Sequence, residues 1–259
     1  MGNSFSLNIS DIADLLNVKV EQFNTVDFIK DDPVLLPHRF RKKQDIEVIG
    51  FIVALIAWGK RIMIINNGEK LIEIMGNSPH DYVMNYETGM LSDKAFVHRT
   101  FNTEDLDFVL RALKSCYAQH NSLESWFALK PSETGVKQRI INFRKAFFET
   151  PHQQRSEKHI ANPEKGSAAK RINMFLRWMV RKDEKGVDFG IWNSIGMDEL
   201  YVPLDVHTGN VARTLGLITR KQDDWKSLEE LMDNLRKMDA NDPCKYDFAL
   251  FGLGVSGEI

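Results

Sequence analysis

The chain has 259 residues, 43% of them hydrophobic and 27% charged, with 34 Lys and Arg against 36 Asp and Glu. That is long enough to bury a core without disulfides or metal staples. Two cysteines, Cys116 and Cys244, stand outside any CxxC or Cys/His cluster, which excludes zinc and iron–sulfur sites of the usual spacing and points to a reducing, cytoplasmic location.

The N-terminus lacks a basic stretch followed by an apolar one, so no signal peptide is expected. The most apolar run, Val48 to Trp58, is well short of the ~20 residues a membrane span needs and reads as a buried core helix starting near Asp45. Lys60 to Met75 repeats apolar residues at helical spacing, with Gly76 at its end. Ser78-Pro79 starts a further helix. Thr103 starts a long one running to about Gln119, and Ser132 another to about Glu149. A polar stretch with Pro151 and Pro163 follows. Gly166 to Arg181 is again helical, with the helix starting near Ser167 and Ile172, Phe175, Leu176 and Met179 on one face. Asp205 caps a helix ending at Gly216, and Asp224 and Asp242-Pro243 open the last two. No alternating strand pattern and no hairpin dipeptide is evident. The expected fold is all-α.

Charge is distributed unevenly. Val136 to Lys182 carries twelve Lys and Arg against three Glu, a surplus of nine positive charges, while acidic residues gather between Asp223 and Asp242. A basic stretch of this kind is either a set of solvated helix faces or an anion-binding surface.

Two segments have chemical content. In Pro163-Glu164-Lys165-Gly166-Ser167-Ala168-Ala169-Lys170-Arg171, a glycine and small side chains lead into a helix, leaving backbone N–H groups open to a phosphate. Lys170 follows directly, where a lysine can be held as the free amine and act as a nucleophile. Alone, it also reads as an ordinary surface lysine. In Val202-Pro203-Leu204-Asp205-Val206-His207-Thr208, Asp205 stands at a helix start and reads either as a plain cap or as a functional carboxylate. Asp205-x-His207 lacks a third ligand at recognisable spacing, so no metal is expected.

Together these segments resemble the helix-hairpin-helix DNA glycosylases. Gly166-Ser167-Ala168-Ala169-Lys170 is similar to the family's GVGxK hairpin and lysine, with Ala168 in place of the second glycine. Pro203 to Arg213 (PLDVHTGNVAR) is similar to its PVD-x-H-x-x-x-[IV]-A-R segment. The loop between Lys170 and Asp205 is closer in length to that of the archaeal 8-oxoguanine glycosylases. The run KRINMFLRWMVR, residues 170–181, resembles an uncharacterised bacterial family related to the superfamily.

The resemblance implies two helical lobes with a helix-hairpin-helix element and a cleft between them: a middle lobe over 45–150, and a terminal lobe of 1–44 plus 151–259 carrying the hairpin, Lys170 and Asp205. It implies base-excision chemistry on damaged duplex DNA, such as DNA with oxidised purines, by a monomer with no membrane contact. Lys170 would form a Schiff base with the sugar and Asp205 would assist. Gly166, Ser167, Ala168, Lys165, Arg171, Arg177 and Arg181 would bind DNA. Trp58 would serve as wedge and Met174 would touch the flipped base. No cofactor is implied beyond a monovalent ion that relatives hold at the hairpin. The alternative is a non-catalytic nucleic-acid-binding module that retains this scaffold.

Overall fold

The computed structural model describes residues 8–91 and 95–258. The absence of a signal peptide is an expectation that falls partly on residues outside this range. Asn8 opens α1 (Ile9–Phe23) by accepting the N–H groups of Ser10 and Asp11. A single turn, α2 (Val26–Ile29), and two proline-led 3-10 turns follow. In α3 (Lys43–Ile56) every residue from Ile46 onward is buried, as the apolar run from Val48 predicts for all but Ile46 and the carboxylate Glu47. Among the described residues no helix is long and apolar enough to cross a membrane. Next come α4 (Arg61–Ile74) and α5 (Pro79–Asn85).

A two-residue antiparallel pair, β1 (Val97–His98) with β2 (Phe101–Asn102), interrupts the helices. It corrects, in this one place, the expectation of no strand. α6 (Thr103–Gln119) starts from a capping box: Asn102 accepts the Asp105 N–H while Asp105 accepts the Asn102 N–H. Then come α7 (Gly135–Phe147), α8 (Lys170–Val180), α9 (Val206–Thr214), α10 (Trp225–Met238) and α11 (Tyr246–Ser256). The fold is all-α.

The chain packs as two compact units. One holds the described residues up to Phe28, Lys165–Gly190 and the residues from Ile195 on; the other holds Ile29–Glu164 with Ile191–Ser194. In the first, α11 lies against both α1 and α9. In the second, Phe127 stacks on Phe143 at 4.2 Å and Phe51 meets Phe143 and Phe147 edge-on or tilted.

The expected boundaries at 45 and 150 move outward to 29 and 164 for physical reasons. Val34 and Leu36 are fully buried within the second unit. Beyond α7, the turn Gln154–His159 is fastened to buried Asp105, which accepts from Arg155 at 3.0 Å, Ser156 at 2.6 Å and His159 at 3.2 Å. Glu47, wholly buried on α3, accepts the Tyr117 hydroxyl at 2.8 Å and the Trp192 indole N–H at 2.6 Å, which seats Ile191–Ser194 in that unit.

Candidate active site

The chain enters the hairpin through two 3-10 turns, Gln154–His159 and Pro163–Lys165. Gly166 then takes a positive φ of 86°, a conformation glycine adopts without the steric cost a Cβ brings. Its carbonyl accepts the Trp225 N–H at 2.8 Å, and Ser167 pairs with Asp224 as an isolated antiparallel bridge. The hairpin is thereby tied to the start of α10. Ser167 Oγ accepts the Ala169 N–H at 3.2 Å. Ala169 is left-handed, with φ 48° and ψ 40°, and only after it does α8 begin.

Lys170 is therefore the first residue of α8. The expectation of a helix starting near Ser167 is corrected by three residues, because the Ser167 side chain closes a local turn instead of capping the helix. The second positive φ falls on Ala169, not on Ala168, where the family motif has its second glycine. Ala168 is buried, and its carbonyl accepts from Asn173 Nδ2 at 2.9 Å. Lys165 and Gly166 are exposed and Ser167 is half-buried.

Asp205 caps α9. Its Oδ1 accepts the N–H groups of His207 at 3.0 Å and Thr208 at 3.1 Å. Its Oδ2 stands 3.8 Å from Lys170 Nζ, an ion-pair distance too long for a hydrogen bond. The two side chains are 31% and 24% exposed, so a reagent can reach both while neither is fully solvated. These are the two residues that sequence reasoning selected, and the fold brings them together.

Half-buried Arg171 follows Lys170, and loss of water pushes its guanidinium down to about 10, so it stays charged at neutral pH. Met174, one turn beyond Lys170, is buried with the apolar face of α8. Trp58 belongs to the second unit, at the end of α3. Its ring lies under the Arg99 guanidinium, 4.5 Å from the ring centre, and its carbonyl accepts from His98 Nε2 at 3.1 Å.

Arg177 and Arg181 are corrected. Their side chains are 4% and 2% exposed, and both are neutralised by internal carboxylates, so neither offers charge to an outside phosphate. Arg177 donates to Asp188 at 3.2 Å and to Asp247. Arg181 donates to Asp242 at 2.9 Å and Asp188 at 3.2 Å and pairs with Asp183 at 2.8 Å. Burial opposes the Arg181 charge, yet the three carboxylates hold its guanidinium above the ordinary range. Burial pushes the shared Asp188 up despite both arginines.

Sequence reasoning missed Asp247, the second residue of α11. Burial pushes its carboxyl up to about 6; Arg177 and Lys170 pull it down, and Asp205 and Asp188 push it further up. Its signal was available. Asp247 is the single carboxylate in the run Tyr246 to Val255, and a charge inside such a run must be buried with a partner. Among the described residues, no group of three or more His, Cys, Asp and Glu side chains is placed to hold a metal ion.

A family described as protein of unknown function (DUF2400) matches residues 32–256, and the chain belongs to it. No curated protein and no solved structure matches the chain.

Proposed function

We propose that this protein is a DNA base-excision glycosylase with lyase activity, acting through a Schiff base on Lys170 and taking oxidised purines among its substrates. The observation that supports this reading most is the 3.8 Å approach of the Lys170 amine to Asp205 Oδ2, just after a segment in which Lys165 and Gly166 are exposed.

In this reading Lys165, Gly166, Ser167 and Arg171 hold the phosphate backbone of duplex DNA from which a damaged nucleotide has been flipped, a step that costs least where pairing is already weakened. The free amine of Lys170 bonds to the sugar C1′ as the glycosidic bond breaks. The bonding pair leaves with the base, which takes up a proton. Opening of the C1′–O4′ bond gives the imine. Loss of the C2′ proton then expels the 3′ phosphate. Asp205, one oxygen fixed by α9, presents the other to the positive charge that develops on the sugar and on the imine nitrogen.

Borohydride trapping tests this against duplexes carrying a panel of base lesions. A covalent protein–DNA adduct that requires Lys170 is the expected result. Its absence with every lesion rejects the lyase reading and leaves a nucleic-acid-binding module.

A further inference from the structure

Helix α6 turns one stripe toward a cavity of about 610 Å³ that lies wholly within the second unit. Glu104, Asp107, Phe108 and Arg111 line it, at the i, i+3, i+4 and i+7 spacing of a single helix face. Further walls come from Tyr86 at the end of α5, from the segment holding Leu91 and Ala95, and from the chain around Pro151 and Ser156. The last of these is anchored, since Ser156 donates to buried Asp105 at 2.6 Å.

Two polar groups of the lining are held in place. Asp107 accepts the Tyr86 hydroxyl on Oδ1 at 2.6 Å and Arg111 Nε on Oδ2 at 2.8 Å. Arg111 Nη1 donates to the Pro151 carbonyl at 2.9 Å. A carboxylate accepts about four hydrogen bonds and a guanidinium donates up to about five. Asp107 therefore keeps lone pairs to spare, and Arg111 keeps Nη2, for which no described residue supplies an acceptor. The two side chains remain 21% and 29% exposed. The cavity thus offers an acceptor and a donor side by side, both fixed before a ligand arrives. An ammonium ion there would meet Arg111, and an anion would meet Asp107 and Glu104. A neutral ring with an N–H beside a carbonyl satisfies both groups, and Leu91 and Phe108 give its faces apolar surface.

We propose that this cavity binds a nucleobase with a lactam edge, as in thymine, uracil, hypoxanthine or guanine. The ring N–H donates to Asp107 and the neighbouring carbonyl accepts from Arg111 Nη2. The volume falls within the roughly 300–1,000 Å³ of small-ligand sites. The inference goes beyond the lyase reading and neither uses Lys170 nor depends on it. A free nucleoside and an unpaired base in a strand carry the same edge, and the experiment separates them.

The intact protein is titrated calorimetrically with thymidine, with N3-methylthymidine and with a short single-stranded thymidylate oligomer. Thymidine is expected to bind, and N3-methylthymidine, which lacks the donor, to bind roughly tenfold or more weakly. Ala95→Trp fills the cavity from an exposed position on its lining, leaves the bonds of Asp107 and Arg111 in place, and should abolish binding. Arg111→Gln should weaken thymidine by a similar factor; because it also releases the Pro151 carbonyl, its melting temperature is measured beside it, and Ala95→Trp decides should it not fold. An oligomer that binds more tightly than thymidine, and loses that affinity in Ala95→Trp, assigns the site to a base in a strand. One that binds no more tightly assigns it to free nucleosides. No binding of thymidine, equal binding of its N3-methyl form, or binding untouched by Ala95→Trp overturns the proposal.

Discussion

Asp205 divides its carboxylate between two tasks: Oδ1 accepts two backbone N–H groups of α9, and Oδ2 faces Lys170 Nζ at 3.8 Å. The division lets cap and charge be separated by one substitution. Asp205→Asn keeps the cap, since asparagine caps helices about as well, and removes the charge. Melting temperature should stay within a few degrees of wild type while adduct formation falls by roughly 10²-fold or more. Full trapping activity in this variant would reduce Asp205 to a helix cap.

Lys170→Ala should remove the trapped adduct altogether. A side chain 31% exposed at the first position of a helix contributes little to stability, so denaturant midpoints should barely change. An adduct that survives the substitution would place the imine on another lysine.

Gly166→Ala places a Cβ on a residue at φ 86°, where open space surrounds it but the backbone conformation disfavours any L side chain. Chemical denaturation should show a loss of roughly 1–2 kcal/mol. The bond from Trp225 to the Gly166 carbonyl should loosen with it, and affinity for DNA should fall through the hairpin's shape, with no charge removed.

The basic residues should separate into two groups by experiment. Lys165→Ala with Arg171→Ala should weaken binding to all duplexes about equally and flatten the salt dependence by roughly one to two units of slope. Arg181→Ala should leave that slope unchanged and instead cost roughly 3–5 kcal/mol of stability, because Asp188, Asp242 and Asp183 lose a shared buried partner. An Arg181 variant of wild-type stability with a flattened salt slope would return that residue to the surface.

This difference marks where the sequence could and could not be read. The basic surplus over Val136 to Lys182 counts every charge alike, but the partners of Arg177 and Arg181 lie up to 70 and 61 residues away, out of reach of local inspection. Only the neighbours of the two arginines hint at burial: Phe175, Leu176, Trp178, Met179 and Val180 surround them on a helix with little polar face. The long helices were legible because apolar spacing and caps agree, as in α6, found over Thr103–Gln119. The start of α8 was not, because a left-handed alanine has no sequence signature: Ala169 occupies that region only because the surrounding hydrogen bonds hold it there. The pairing of Lys170 with Asp205 was legible through motif resemblance, and the Arg177–Asp247 pair was not, since no short motif spans α8 and α11.

The Asp247 carboxyl also gives stability a defined pH dependence. Its folded value of about 6 exceeds the ordinary 3.8, so between these values the folded chain binds a proton that the unfolded chain has released. The contribution of this group is fully present below about pH 4 and is lost as pH rises through about 6. Relative to Asp247→Asn, wild type should lose up to about 3 kcal/mol across that window. Denaturant titrations of both proteins at matched pH check this, and a difference that grows in the opposite direction would show that Asp247 is ionised throughout.

The four residues Ile191–Ser194 belong to a unit otherwise completed by Glu164, while the chain on either side of them belongs to the other. During synthesis, Glu47 leaves the ribosome 145 residues before the indole that donates to it. Most of one unit can therefore collapse while a buried carboxylate still lacks Trp192. The other unit takes in both α1 and α11 and cannot close until α11 has been made. A chain halted between residues 164 and 192 would hold that unit with its buried carboxylate still lacking the indole partner.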